Sequence, residues 1–337
     1  NKSQKSLLNF CTEQANKNCL WIWTESKQME LSTNNEATNT VKATDAPHYL
    51  CFVTNKAYAP GAVCLAQSLH LVQSKARLCV IATSMTAHAA LLSELAASPN
   101  PSSIPMDVVL EETPLPTYSH DKTHNGRGAT LAVDAPRRCL FDDNREGWIL
   151  LDADLIAVQN PDALLTILHE EMNKSIVTTE MFASANFRIK KKKFGNVDEG
   201  SNFNAGMMIV PRPLTSDGVA LQALVDAAGE DDTEELLMND LFRGRCGSLA
   251  RGYNVPKRVM HHAPGVWREM IGNKEIVFLH YMGAKPWMID VVKRTNADWE
   301  SENPTYKTLE KVWWKIRQGE LEVDEDGTLH GSLPLEA

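Results

Sequence analysis

Two carboxylates stand one residue apart at Asp152 and Asp154, directly after the apolar run Trp148-Ile149-Leu150-Leu151. Carboxylates this close repel each other unless something positive neutralises them. A hard divalent cation does so through oxygen ligands, and the same ion can bridge to phosphate oxygens. An Asp-x-Asp turn is common, and its plainer reading is a solvated turn. Position favours the metal: in open α/β sheets ligands gather at the carboxyl ends of strands, where the apolar run leaves this pair. Aspartyl phosphatases use a similar pattern, with the first Asp as nucleophile and the second as general acid. Their motif follows the first strand of the domain and is followed closely by a small or hydroxyl residue. Here three strand-like segments come earlier and Leu155-Ile156 comes next, which argues against that chemistry.

The pair needs a scaffold. Residues 49–53, 78–81, 106–110 and 148–151 are short apolar runs that predict buried strands. Between the first three, residues 62–71 and 88–97 carry apolar side chains at helical spacing. Alternating strands and helices predict right-handed crossovers and an α/β fold with a mostly parallel central sheet flanked by helices. A further helix is expected over 129–141, interrupted by Pro136. Asn160-Pro161-Asp162 opens another: Asn can cap it, Pro fits its first turn and Asp favours its positive end. Strands are expected at 207–210 and 276–279, and helices at 221–228 and 234–242. Leu309, Val312, Trp313 and Ile316 share one face of a C-terminal helix, after which 320–337 reads as a frayed acidic tail. The organisation is thus a polar extension at 1–46, one α/β domain at 47–300, and a C-terminal helix with its tail at 301–337.

Composition bounds the function. The 337 residues are 43% hydrophobic and 23% charged, an ordinary globular balance. The net charge of -9 argues against nucleic-acid binding, which runs on basic patches. The basic run Lys190-Lys191-Lys192-Lys193 reads as a solvated loop, with a nuclear address or a place beside a binding cleft as the weaker readings. No apolar run reaches the roughly 18 residues a membrane span needs. The first residue is Asn rather than Met, so the natural N-terminus is expected upstream, and the compartment stays open between cytoplasm and secretory lumen. None of the seven cysteines forms a Cys-x-x-Cys pair, so zinc and thioredoxin-like readings have no support. Cys51 and Cys79 lie in apolar runs as small hydrophobes, while Cys11 and Cys19 would pair only in an oxidising compartment.

Five segments then stand in a telling order. They are Phe52-Val53-Thr54-Asn55-Lys56-Ala57-Tyr58-Ala59-Pro60-Gly61-Ala62; Leu151-Asp152-Ala153-Asp154 with Gln159-Asn160-Pro161-Asp162; Phe203-Asn204-Ala205-Gly206-Met207-Met208-Ile209; Gly252-Tyr253-Asn254; and Phe278-Leu279-His280-Tyr281-Met282-Gly283-Ala284-Lys285-Pro286-Trp287. In that order the chain resembles glycosyltransferase family 8, specifically its glycogenin-like branch. The resemblance implies a GT-A type nucleotide-sugar-binding fold and a UDP-sugar donor. It implies Mn²⁺ (or Mg²⁺) held by Asp152, Asp154 and His280, the last supplying a neutral imidazole. Thr54, Asn55 and Tyr58 fall where the family binds the nucleotide; Asn55 can read a base edge, and Tyr58 can stack on the base or pack on the sheet. Asn204, Ala205 and Gly206 match the sugar-contact segment. Gly283 lets backbone approach the phosphates, and Lys285 neutralises them. Trp287 reads as packing and Gly252-Tyr253-Asn254 as a structural turn.

Glu234 and Glu235 align with an Asp-Gln pair that contacts the donor sugar in the family, so this chain has a second carboxylate where the family has an amide. With Asp152 and Asp154 they complete the catalytic set the resemblance implies. A helical Lys before the metal motif is replaced by Arg137-Arg138 beside Pro136. The implied activity is retaining transfer of a hexose or N-acetylhexosamine to a glycan, protein or small-molecule acceptor, with homodimerisation open. The competing class is a non-catalytic nucleotide-sugar or glycan-binding protein on the same fold. Glycogenin's self-glucosylation needs a tyrosine between the Tyr-Asn turn and the C-terminal His. Residues 255–279 contain none, so a separate acceptor is expected.

Overall fold

Short apolar runs bracketed by polar turns become strands here, and the longer runs with helical spacing become helices. The computed structural model describes residues 48–110, 147–172, 181–185, 203–211, 219–221, 223–224, 234–288 and 304–335. The polar extension, Cys11 and Cys19, the helix expected over 129–141 with Arg137 and Arg138, and the Lys190-Lys193 run lie outside the described residues. So do most of the residues expected as a helix at 221–228. Residues 46–337 form one unit.

Strand β1 (His48–Val53) is followed by helix α1 (Ala59–Leu71), strand β2 (Arg77–Ala82), helix α2 (Met85–Ala96) and strand β3 (Met106–Leu110). Helix α1 starts before the expected 62 because Pro60 suits a first turn, where no amide hydrogen bond is lost. Helix α2 is capped by Ser84, whose side chain accepts from the Ala87 amide at 3.3 Å. Strand β4 (Trp148–Leu151) leads into the short β5 (Leu155–Ala157) and helix α3 (Ala163–Met172). Asn160 accepts from the Asp162 amide at 2.9 Å at the entrance to α3. The Asp162 carboxylate accepts from Ser74 Oγ at 2.6 Å and from the Lys75 amide at 2.8 Å, so it ties the end of α1 to this turn.

Strands β6 (Met181–Ala185), β7 (Phe203–Val210) and β8 (Cys246–Leu249) extend the sheet, with helix α4 (Glu234–Leu241) between β7 and β8. Among the described residues the sheet order is β3-β2-β1-β4-β7-β6-β8. Strands β1 to β4 pair in parallel, whereas β7 runs antiparallel to both β4 and β6. Side chains alternate across the sheet, as the pleat requires. Ile149 and Leu151 join a core with α1, while Trp148 and Leu150 join a second core with Leu237, Met238 and Leu241 of α4.

A second, smaller sheet stands beyond the carboxyl end of β4. It combines β5 with β9 (Val255–Pro256) and β10 (Phe278–His280). The expected strand at 276–279 is shifted, so that His280 is its last residue. Two short helices, α5 (Arg258–His262) and α6 (Pro264–Gly272), connect β9 to β10. Helix α7 (Pro304–Gln318) buries Leu309, Val312, Trp313 and Ile316, the face read from sequence.

The acidic tail does not fray over 320–335. Leu321, Leu329 and Leu333 are buried, the Leu329 amide donates to Val158 O at 2.7 Å, and Trp267 Nε1 donates to Pro334 O at 2.7 Å. Its acidic composition concealed three leucines with a ready apolar surface, and burying them outweighs the solvation of the charges between them.

Candidate metal and donor site

The site forms where the two sheets meet. Beyond β4 the antiparallel pairing with β7 continues for one more bond, from the Asp152 amide to Gly206 O at 2.8 Å. The chain then turns tightly, with the Leu155 amide donating to Asp152 O at 3.2 Å, and enters β5. Strand β5 pairs antiparallel with β10 in the register His280 opposite Leu155. The Tyr281 amide donates to Asp154 O at 2.9 Å. That register, more than any local motif, carries His280 across 126 residues of sequence to the carboxylate pair.

His280 Nε2 lies 3.1 Å from Asp154 Oδ1 and 3.8 Å from Asp152 Oδ2. One ligand atom from each of the three residues lies within 4.8 Å of the others. Asp154 and His280 are buried, whereas 46% of the Asp152 side chain is exposed, so the trio opens on the Asp152 side. The other Asp154 oxygen is held by Lys285, whose Nζ also donates to Tyr281 O at 3.0 Å.

The electrostatics separate the two carboxylates. Burial and the neighbouring Asp154 charge raise Asp152 to about 6, and Glu235 adds to the rise. Because nearly half of the Asp152 side chain meets solvent, the charge of Asp154 deserves more weight than burial. Burial also works to raise Asp154, but Lys285 and His280 outweigh it and hold that carboxyl well below the ordinary range. Burial disfavours the Lys285 charge, yet Asp154 beside it raises the pKa above the usual lysine value.

These residues fit a divalent cation. Two carboxylates and an imidazole nitrogen, all from strand ends, form a hard oxygen and nitrogen donor set. Glycine at 206 is required by the ring: a Cβ there would come within 2.4 Å of His280 Cε1.

The other expected site residues are placed unevenly around this centre. Thr54 is half-buried just past β1. Asn55 is exposed, but its side-chain oxygen accepts from the Ala57 amide at 2.9 Å, so half of its expected base-reading capacity serves the chain's own turn. Tyr58 is half-buried, edge-on to Trp287 at 6.3 Å, with Lys285 Nζ 5.9 Å from its ring centre. Trp287 Nε1 donates to Ala57 O at 2.6 Å and its ring lies 5.0 Å from that of Trp313, which fits its packing role. Gly283 is exposed with φ of 79°, a left-handed conformation that favours glycine.

Ala205 and Asn204 are buried in β7. Asn204 Oδ1 accepts from the Gly206 amide at 3.0 Å and from Asn254 Nδ2 at 2.7 Å, and its Nδ2 donates to Glu235 Oε2 at 2.9 Å. The carboxamide expected to meet a sugar thus works inside the protein. Glu235 is half-buried on α4 close to Asn204; Glu234 is the first residue of that helix.

Two further residues belong to the centre. Asn254, read from sequence only as part of a structural turn, meets His280 Nδ1 through its Oδ1 at 2.8 Å, and the fully buried Lys257, which had no role in the sequence reading, donates to Ala284 O inside the 281–285 loop. These contacts had no local signal, because Asn254 meets its partner 26 positions away and Lys257 meets Ala284 27 positions away.

Comparison with known proteins agrees with this geometry. A family model described as glycosyl transferase family 8 matches residues 49–290. A glycogenin from Neurospora crassa is 23% identical over 270 residues, covering 80% of this chain and 34% of that protein. The chain therefore spans about a third of the length of that curated relative. The crystal structure of the apo glycosyltransferase GlyE from Streptococcus pneumoniae TIGR4 superposes with a TM-score of 0.50 at 15% identity, covering 81% of this chain and 60% of that one. That likeness gives the fold, GT-A, with its mostly parallel sheet. Since the matched span runs unbroken from β1 past the His280 loop, the chain belongs to glycosyl transferase family 8.

Proposed function

We propose that the protein is a metal-dependent, retaining glycosyltransferase that takes a hexose or N-acetylhexosamine from a UDP-sugar and passes it to a separate acceptor. The observation that supports this best is the convergence of Asp152, Asp154 and His280 beside the half-buried Lys285 at the carboxyl ends of the strands. A donor diphosphate brings two phosphates that need compensating charge, and here two carboxylates and an imidazole that could hold a cation stand beside the Lys285 ammonium.

Asp152, Asp154 and His280 would hold Mn²⁺ or Mg²⁺, which when bound supplies Lewis-acid stabilisation of the leaving diphosphate. Lys285 adds a fixed positive charge on the same side, where negative charge grows as the glycosidic bond breaks. Tyr58 and the 54–58 turn border the centre from the nucleotide side. Glu235 is the carboxylate on the sugar side, able to stabilise an oxocarbenium-like transition state.

The test is a panel of UDP-glucose, UDP-galactose, UDP-N-acetylglucosamine and UDP-xylose with Mn²⁺, measuring UDP release. Release with one donor, abolished by Asp154→Ala without loss of the folded state, is the expected result. Metal-dependent UDP binding with no release from any donor would favour the non-catalytic binding protein. Unchanged Mn²⁺-dependent UDP affinity in Asp154→Ala would remove the metal assignment.

A further inference from the structure

A chain of hydrogen bonds leads away from the back of the His280 ring. His280 Nδ1 meets Asn254 Oδ1 at 2.8 Å, Asn254 Nδ2 meets Asn204 Oδ1 at 2.7 Å, and Asn204 Nδ2 meets Glu235 Oε2 at 2.9 Å. Asn254, Asn204 and His280 are all nearly inaccessible to solvent, so water does not compete for these bonds.

The direction of the chain is set by two groups that cannot reverse. The Gly206 amide can only donate, and it points at the Asn204 side chain at 3.0 Å, so the oxygen of Asn204 must face it. At the far end the Glu235 carboxylate accepts, so the nitrogen of Asn204 must face it. Both constraints give Asn204 the same orientation, which removes the usual ambiguity between carboxamide oxygen and nitrogen. With the Asn204 oxygen turned to Asn254, the Asn254 nitrogen must lie there and the Asn254 oxygen must face the imidazole. An oxygen of this kind cannot donate, so the proton of the pair sits on Nδ1 of His280.

We infer that Asn254, oriented through Asn204 by the Gly206 amide and the Glu235 carboxylate, is a positioning residue that fixes the Nδ1–H tautomer of His280. Nε2 is left facing Asp154 Oδ1 at 3.1 Å: when the ring is protonated it donates to that carboxylate, and when the ring is neutral it presents a lone pair that a cation between them can take. This rests on the metal reading of the site, and it adds what holds the imidazole ready for that task. Metal-ligating histidines generally have their second nitrogen hydrogen-bonded, because this fixes ring orientation and raises basicity. Here the orienting information comes from another sheet and from α4, so the metal corner and the sugar-side carboxylate are parts of one network.

Long-range ¹⁵N correlation spectra of the metal-free protein test the tautomer, read with the ring neutral, above the ordinary imidazole range. The expected result is a proton on Nδ1 and a bare Nε2. A neutral ring protonated on Nε2 would overturn the inference. Mn²⁺ titration calorimetry supplies the second readout. Asn254→Leu is expected to lose the tautomer preference and about 10- to 100-fold in Mn²⁺ affinity. Asn254→Asp keeps an acceptor for Nδ1–H but loses the donor to Asn204 Oδ1, so it should restore the Nδ1 proton and recover only part of the affinity. Wild-type Mn²⁺ affinity in a folded Asn254→Leu variant would refute the positioning role. Should that variant not fold, the wild-type spectrum and Asn254→Asp still decide, because loss of the Nδ1 proton in either contradicts the assignment. If the wild-type protein shows the Nδ1–H ring but binds no Mn²⁺, the proposed metal function fails while the tautomer stands.

Discussion

Asp152 and Asp154 carry the same chemical group yet sit at opposite ends of the carboxylate range. Lys285 and His280 are closest to Asp154, so that carboxylate stays ionised, and Asp152 bears the cost of being the second negative charge. With its folded pKa raised to about 6, Asp152 holds a proton more tightly in the folded than in the unfolded chain. In the metal-free protein its contribution to stability is fully present below the unfolded carboxyl value and is lost as pH rises through about 6. A cation must displace that proton, so Mn²⁺ affinity should rise between pH values of about 5 and 7. Calorimetry at both ends of this window checks it, and the rise should be smaller in Asp152→Asn. Equal affinity at both ends would contradict the coupling. At this scale Asp152, Asp154 and Lys285 were legible, because a strand end and a family motif mark them. The bonds that Asn204 makes were not legible, since its partners Asn254 and Glu235 are distant in sequence.

Elements bring these residues together, and two of them make sharp predictions. Strand β7 approaches His280 so closely that position 206 has no space for a methyl group. Gly206→Ala should push the imidazole away from the carboxylates and weaken Mn²⁺ binding by about tenfold or more, as loss of ligand support does. Overpacking this buried position should also cost about 1–3 kcal/mol of stability; wild-type metal affinity would show that the ring has other room. The segment 320–335 behaves as a strap over the small sheet and α6. Leu329 is fully buried and its amide is bonded to Val158 O. Leu329→Ala should cost about 2–5 kcal/mol of stability, measured by denaturant unfolding. A loss below that range would mean the strap is not part of the cooperative core. The helices expected at 62–71, 88–97 and 234–242 and the first four strands were readable from periodicity to within a few residues, whereas the helix expected over 129–141 lies outside the described residues. The strap was not, because three leucines spaced through an acidic stretch have no period to detect.

At the scale of the molecule, one sheet supplies the two carboxylates while a second, smaller sheet returns His280 and Lys285 to them. No self-modification is expected from this arrangement. Residues 255–279 contain no tyrosine, and Tyr49, Tyr281 and Tyr306 are buried, with the Tyr281 hydroxyl bonded to Leu309 O at 2.7 Å. Intact-mass spectrometry after incubation with UDP-glucose and Mn²⁺ should show the unmodified chain. A ladder of hexose additions mapping to a tyrosine would overturn the expectation of a separate acceptor.

Sequence alone determined the class of fold, the strand that ends just before Asp152 and the chemistry of the candidate ligands, because these depend on local pattern and residue type. Periodicity sees neighbours along the chain, and a motif sees residues a few positions apart. The tertiary structure decided the rest: that His280 ends β10 opposite Leu155, that Asn204 faces inward, that Asn254 and Lys257 brace the loop, and that the acidic tail packs. Each of these is a contact between segments far apart in sequence. Strand register and burial choose such partners only once the whole core has assembled.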